Sequence, residues 1–93
     1  MKEKQIEQAL VQAVRDRGGI CPKWISPGLD GVPDRIILFP GGKIAFCETK
    51  APGQKPRPLQ TCRAEQLRGL GFRVYMIDQK ERIGEIIDEI CTT

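Results

Sequence analysis

The amino-acid sequence predicts an α/β fold, in which a mixed sheet is flanked by helices. Three observations support this prediction: an amphipathic helical pattern opens the chain, a glycine-containing turn joins two strand-like runs, and helical and strand-like patterns alternate after them. The predicted order is helix, three strands, helix, strand and helix (αβββαβα). Such an order favours helices packed on the faces of one sheet.

The first helix is predicted over residues 3–15, where apolar residues recur at helical spacing and Gly18-Gly19 end the pattern. Residues 20–26 (ICPKWIS) are predicted to form a short strand, in which Pro22 favours an edge or bulge position. The following PGLDGVP has the proline and glycine content of a loop.

Two strands, over residues 34–39 (DRIILF) and 43–50 (KIAFCETK), are predicted to form a hairpin. The Pro-Gly-Gly of residues 40–42 between them is typical of a turn. We expect Ile36 and Leu38 to anchor this hairpin in the core.

A helix is predicted from Pro58 to Gly71, because proline suits a first turn and glycine a C-terminal stop. Residues 72–77 (FRVYMI) are predicted to form a buried strand. Asp78 with Glu81 is predicted to make a capping box for the last helix. The apolar face of that helix comprises Ile83, Ile86, Ile87 and Ile90.

The length of 93 residues predicts one domain that spans residues 1–93. With 40% hydrophobic and 29% charged residues, the composition excludes an intrinsically disordered chain. The apolar runs are too short for a membrane span or a leader, so a cytoplasmic protein with no membrane partner is expected. The net charge of +3 is compatible with an anionic partner but does not require one.

The four cysteines form no Cys-x-x-Cys pair, and the sequence has no histidine to complete a zinc site. We therefore expect four reduced and largely buried thiols. They are Cys21, Cys47, Cys62 and Cys91.

The hairpin register predicts a charged site at one end of the two strands. If residues 40–42 form the turn, the register that results places Asp34 opposite Glu48, with Cβ atoms about 4.5–5.5 Å apart. Lys50 projects from the same face as Glu48. Because facing carboxylates repel unless a cation compensates them, the pair predicts a site for Mg²⁺, with Lys50 able to stabilise charge that develops on a phosphate.

This pattern indicates a site that hydrolyses phosphodiester bonds. The alternative is that Asp34 and Glu48 end solvated strands and that Lys50 is a surface charge paired with one of them.

The residues that carry this site resemble a known family. PD at 33–34 and ETK at 48–50 resemble the PD-(D/E)xK nuclease superfamily, whose members have a restriction-endonuclease-like fold. The surrounding sequence is similar to its VRR-NUC branch, the virus-type replication-repair nuclease domain. The similar segments include GVPDRIIL, PGGKIAFCETKAPG, PRPLQ and FRVYMID.

The resemblance implies roles for individual residues. Asp34 and Glu48 would be metal ligands for Mg²⁺ or Mn²⁺, with the backbone carbonyl of Thr49 as a further ligand. Lys50 would be the catalytic lysine. Gln60 matches a glutamine that the family places in the active site; its alternative interpretation is an exposed amide in the first helical turn.

The resemblance also implies an acidic residue on the first helix that is directed toward the metal. Glu7 is preferred over Glu3 because it lies beside the apolar stripe, although a solvated glutamate remains an alternative. Lys23, Lys55 and Arg57 are candidate nucleic-acid contacts. An edge-strand lysine and a solvated loop are the alternatives for these three.

The resemblance implies a Mg²⁺- or Mn²⁺-dependent DNA endonuclease of the stand-alone phage or bacterial type, which acts in a bacterial cell or a phage-infected host. Similarity of such members to Holliday-junction resolvases implies branched or junction DNA as the substrate and a homodimer. The alternatives are a non-catalytic nuclease-fold module that binds DNA and, from a third class, a small interaction protein whose acidic pair binds a structural cation.

Overall fold

The computed structural model describes residues 2–92, so Met1 and Thr93 at the ends of the expected domain lie outside the described residues. The secondary structure in this range confirms the predicted α/β class. Its elements are α1 (Glu3–Asp16), β1 (Arg35–Phe39), β2 (Lys43–Thr49), α2 (Pro58–Gly69), β3 (Arg73–Ile77) and α3 (Ile83–Cys91), with a 3-10 turn at Lys80–Arg82 before α3.

The three strands form a mixed sheet in the order β1-β2-β3. Strand β1 runs antiparallel to β2, and β2 runs parallel to β3. Phe39 lies opposite Lys43, which confirms the predicted hairpin register. Gly41 and Gly42 in the turn have φ angles of +88° and +74°, a conformation that favours glycine.

The predicted strand over residues 20–26 is wrong as a continuous strand. Pro22 accepts a hydrogen bond from the Ile36 N–H (3.0 Å) but has no N–H to donate in return, which breaks the ladder. Pairing resumes where the Trp24 N–H donates to the Asp34 carbonyl (2.9 Å). The segment therefore covers the outer edge of β1 through isolated bridges, Ile20 with Leu38 and Lys23 with Arg35.

The two faces of the sheet carry different helices. Helices α1 and α3 pack on one face and α2 on the other. Ile37 and Phe39 of β1 enter the main core, whereas Ile36 and Leu38, which were expected there, are half-buried. Ile36 packs instead against the small cluster under α2. Glu48, two residues after Phe46 in β2, therefore lies on the α2 face as well.

The predicted capping box of Asp78 and Glu81 is wrong. The chain enters α3 through the 3-10 turn, whose N-cap is Gln79 and which makes no side-chain cap hydrogen bond. The predicted apolar face of α3 is confirmed, because its four isoleucines are all buried.

All four cysteines are free, but Cys62 is exposed and Cys91 only half-buried, against the expectation of largely buried thiols. Burial raises the pKa of Cys21 to about 11 and that of Cys47 well above its ordinary value. These two thiols are therefore held in the unreactive protonated form. No helix within residues 2–92 is long and apolar enough to cross a bilayer.

Candidate active site

Asp34 lies where the loop over residues 25–33 meets the first residue of β1. The register of the hairpin, extended by one pair, sets it opposite Glu48. Its Oδ2 accepts hydrogen bonds from the Thr49 N–H (3.2 Å) and the Thr49 hydroxyl (3.4 Å). Pro33 is buried and fixes the chain just before this carboxylate. The end of β2 therefore orients the Asp34 side chain.

Glu48 is a buried carboxylate in β2, only 6% exposed. Its Oε2 accepts a hydrogen bond from Gln60 Nε2 (2.7 Å) and lies 3.5 Å from Lys50 Nζ. Its Oε1 is buried and has no hydrogen-bond partner among the residues that the structure describes. A buried polar atom left in this way is destabilising unless another group compensates it.

The ionisation of Glu48 reflects this environment. Burial, followed by the nearby charge of Asp34, raises the pKa of Glu48 to about 7, while Lys50 acts in the opposite direction. Near neutral pH the Glu48 carboxylate is therefore close to its midpoint, a property typical of functional sites.

Gln60 joins the start of α2 to the end of β2. Its Oε1 accepts the Arg57 N–H (2.9 Å) at the helix N-terminus, while its Nε2 donates to Glu48. The structure thus brings together Asp34, Glu48, Lys50 and Gln60. The solvated interpretation of Gln60 does not match this geometry.

Glu7 projects from α1 and forms an ion pair with Arg35, with 3.0 Å between Glu7 Oε2 and Arg35 Nε. Arg35 also donates to the Cys21 carbonyl (2.8 Å). Glu7 lines a cleft of about 210 Å³ together with Lys23 and Asp34. Within residues 2–92, no cluster of three or more Asp, Glu, Cys or His side chains is arranged so that it could hold a metal ion. Asp34 therefore shares one cleft with Glu7 and lies opposite Glu48 in the hairpin register.

The three candidate nucleic-acid contacts are all exposed. Lys23 lies in the smaller cleft, and Arg57 lines a second cleft of about 750 Å³ that also contains Asp34 and Gln60. Lys55 lies in the loop between β2 and α2. Two of the three basic residues predicted to contact nucleic acid, Lys23 and Arg57, thus border clefts that contain Asp34.

Sequence reasoning missed the residues that fix the loop beside Asp34. Arg63 Nε donates to the Asp30 carbonyl (2.9 Å), which ties that loop to α2. Gly31 has a φ of +78°, and a Cβ there would lie 2.8 Å from the Leu59 carbonyl oxygen. The signal for Arg63 was its position one helical turn after Gln60, which puts both on one face of α2.

The donor set suits a hard divalent cation. Two adjacent carboxylates, one of them with an unpartnered oxygen, provide the negative charge and the oxygen ligands that Mg²⁺ prefers. The Thr49 carbonyl follows Glu48 directly in the chain and offers a neutral oxygen. The residues present therefore fit the metal that the resemblance implies.

Comparison with known proteins connects this geometry to a family. No family model matches the sequence. The chain is 47% identical over 81 residues to "Putative nuclease p44" of Acyrthosiphon pisum secondary endosymbiont phage 1, an alignment that covers 87% of each protein. It is also similar to a solved structure described as "VRR_NUC domain", with a TM-score of 0.87, 27% identity and coverage of 95% of this chain and 96% of the other. The fold is therefore restriction-endonuclease-like, and the chain belongs to the VRR-NUC family of nucleases.

Proposed function

We propose that this nuclease is a DNA endonuclease that depends on Mg²⁺ or Mn²⁺ and hydrolyses phosphodiester bonds at Asp34 and Glu48. The observation that carries the proposal is the buried Glu48 carboxylate. It lies beside a second carboxylate and retains one oxygen without a partner within residues 2–92. A divalent cation compensates such a pair, because it neutralises both charges and occupies the free oxygen.

Asp34, Glu48 and the backbone carbonyl of Thr49 would hold this cation. A divalent cation bound there would supply Lewis acidity toward the phosphodiester and the attacking water. The Thr49 N–H keeps the Asp34 carboxylate turned toward β2. Glu7 would join the ligands only by leaving Arg35, since the two are paired at 3.0 Å.

Lys50 and Gln60 would act around the carboxylate pair. The Lys50 ammonium lies 3.5 Å from Glu48 Oε2 and is positioned to stabilise negative charge that develops on the phosphate. Gln60 donates to the same oxygen and keeps the Glu48 carboxylate in one orientation.

We further propose that the substrate is branched or junction DNA and that the active form is a homodimer of a single 1–93 domain, located in the cytoplasm of a bacterial cell or a phage-infected host. The phage source of the similar nuclease supports this location. Exposed Lys23, Lys55 and Arg57 would contact the DNA backbone, where cations supply sequence-independent affinity. A dimer predicts about twice the monomer mass on gel filtration with light scattering.

Cleavage of defined DNA structures tests the proposal. The purified protein is incubated with a four-way junction, a flap and a linear duplex, with Mg²⁺, Mn²⁺ or EDTA. We expect metal-dependent cutting of the branched substrates, and a loss of about 10³-fold in rate for Asp34→Asn and for Lys50→Ala. The matched controls Asp16→Asn and Lys4→Ala change exposed α1 residues and should cut like wild type.

Two results would overturn the assignment. Folded wild-type protein that cuts nothing in either metal excludes the endonuclease, and DNA binding without cutting would favour the non-catalytic module. Asp34→Asn protein that cuts as fast as wild type excludes Asp34 from the site.

A further inference from the structure

The exposed large apolar side chains within residues 2–92 fall into two groups. Three of them line the clefts that contain Asp34: Ile25, Leu29 and Leu59. The other four lie outside both clefts: Ile20, Ile44, Leu70 and Phe72. Ile25 is 80% exposed, the largest value of the seven. Three of the seven exposed large apolar side chains therefore lie in the two clefts that share Asp34.

The three cleft residues line two clefts that share Asp34. Ile25 lines the smaller cleft, and Leu29 and Leu59 line the larger one, while Asp34 belongs to both. The hydrogen bond from the Trp24 N–H to the Asp34 carbonyl (2.9 Å) closes the base of the loop that carries Ile25 and Leu29. A strand that passes over Asp34 would therefore meet apolar side chains before and after it.

The larger cleft is built into the fold. Gly31 packs so closely on Leu59 that a Cβ would lie 2.9 Å from the Leu59 side chain. Arg63 ties the adjacent Asp30 carbonyl to α2 at 2.9 Å. Leu59 on the helix and Leu29 on the loop are thus held on one pre-formed surface, which lowers the entropic cost of binding.

Each cleft carries one basic side chain and exposed apolar side chains, together with carboxylates: Glu3, Glu7 and Asp34 in the smaller cleft, Asp30 and Asp34 in the larger. Arg57 borders the larger cleft and Lys23 the smaller, each beside exposed apolar side chains. Cations suit phosphates, whereas apolar side chains suit the faces of bases that are out of the stack. In a fully paired duplex those faces are covered by neighbouring bases. The combination favours a strand whose nucleotides near the cut are unpaired.

We infer that the two clefts form one track for a DNA strand, in which Ile25 on one side of Asp34, and Leu29 and Leu59 on the other, contact unpaired bases that flank the scissile phosphate. The inference rests on the proposed DNA endonuclease function and names the feature that the site recognises. Branched DNA would be selected through the unpaired nucleotides at its branch point.

Binding without cleavage tests this inference separately from catalysis. Affinities for a fluorescent single strand and for the duplex of the same sequence are measured by anisotropy in EDTA and with Ca²⁺. The variant Ile25→Ser, Leu29→Ser, Leu59→Ser is compared with the matched control Ile20→Ser, Leu70→Ser, whose residues are exposed but lie outside both clefts.

We expect the triple variant to bind the single strand about 5- to 20-fold more weakly, with little change on the duplex, and the control to match wild type. A 2-aminopurine beside the branch of a flap should change its fluorescence when wild type or the control variant binds, but not when the triple variant binds.

An unchanged ratio of single-strand to duplex affinity would overturn the inference, as would equal losses on both DNAs. A change in the oligomeric state of the triple variant would assign this surface to a second copy and also overturn it. Wild-type protein that shows the binding preference but cuts nothing in either metal would refute the endonuclease, while the contacts of the three apolar residues with unpaired bases would stand without a scissile phosphate between them.

Discussion

The two faces of the sheet differ in what they bury. The α1/α3 face buries aliphatic side chains from both helices and all three strands in one continuous cluster. The α2 face has a small cluster of three buried residues, Phe46, Leu67 and Val74, and beside it a cavity of about 100 Å³ that Glu48 lines. One face supplies apolar burial and the other a buried charge.

This difference separates stability from chemistry within one thin sheet. Strand β2 belongs to both faces, because Ala45 and Cys47 enter the main core while Phe46 and Glu48 face α2. The alternation of side chains along a strand makes this possible. A rigid core directly behind Glu48 can therefore hold an unfavourable carboxylate in place.

The largest expected effect is on the α1/α3 face. Leu10→Ala removes a fully buried side chain of α1 and should lower the free energy of unfolding by about 3–5 kcal/mol. Leu67→Ala, its counterpart on α2, should cost only about 2–3 kcal/mol, because Leu67 is 8% exposed and belongs to a smaller cluster. Urea unfolding followed by circular dichroism measures both, and equal losses would contradict the difference between the faces.

The second largest expected effect is an increase in the free energy of unfolding, on the α2 face. The pKa of Glu48 is about 7 in the folded protein and about 4.5 as its ordinary value, so ionisation opposes folding as the pH rises between these values. Glu48→Gln should therefore raise the free energy of unfolding by about 1–3 kcal/mol near pH 8, with no gain near pH 4.5.

Unfolding of both proteins across this pH range, without divalent metal, measures the effect. Glu65→Gln provides the control, because Glu65 is an exposed carboxylate on α2. A gain for Glu48→Gln that is the same at both ends of the range would mean that ionisation is not its cause.

The sequence predicted the site where local rules determine geometry. The period of two in a strand and a three-residue turn were enough to predict Asp34 opposite Glu48, in agreement with the hairpin register, and Lys50 beside Glu48, where its Nζ lies 3.5 Å from Oε2. Gln60 entered through the family resemblance, since its contact with Glu48 depends on how α2 docks on the sheet.

Other features depend on tertiary packing or on a single missing donor. The break in the 20–26 segment follows from the absent N–H of Pro22, and the ion pair of Glu7 with Arg35 requires α1 to lie across β1. The tie between Arg63 and the Asp30 carbonyl joins residues 33 positions apart. Pro22 is visible in the sequence as a strand breaker, whereas the partners of Glu7 and Arg63 lie 28 and 33 positions away and depend on how α1 and α2 pack.

A bound divalent metal should offset the loss of stability that ionisation of Glu48 causes. Mg²⁺ should raise the melting temperature of wild type more near pH 8, where Glu48 is ionised, than near pH 5.5, where a proton competes. We expect a stabilisation of about 1–2 kcal/mol at the higher pH, measured by differential scanning calorimetry. Asp34→Asn and Glu48→Gln should show little of it, and an equal rise in these variants would place the bound metal elsewhere.

The smallest expected change in stability concerns the edge of β3, to which each face of the sheet contributes one arginine contact. The carbonyls of Val74 and Met76 point away from β2, because the Ile77 carbonyl points toward it and accepts the Lys50 N–H. Arg68 of α2 donates to the Val74 carbonyl (2.8 Å), and Arg82, just before α3, donates to the Met76 carbonyl (3.1 Å). Each face thus supplies one arginine to the open edge of the sheet.

Each arginine also forms an ion pair one helical turn away, Arg68 with Glu65 and Arg82 with Glu85, at 3.5 and 3.4 Å. These exposed pairs contribute little to stability, so Arg68→Ala with Arg82→Ala should cost less than about 1 kcal/mol. Freed edge carbonyls, however, can accept hydrogen bonds from a strand of another chain. We therefore expect static light scattering to show a larger mean mass for the double variant than for wild type as the protein concentration rises. Arg15→Ala with Arg17→Ala makes the same change in net charge on α1 and just after it and should not associate, so equal behaviour of the two variants would reduce the edge effect to lost charge.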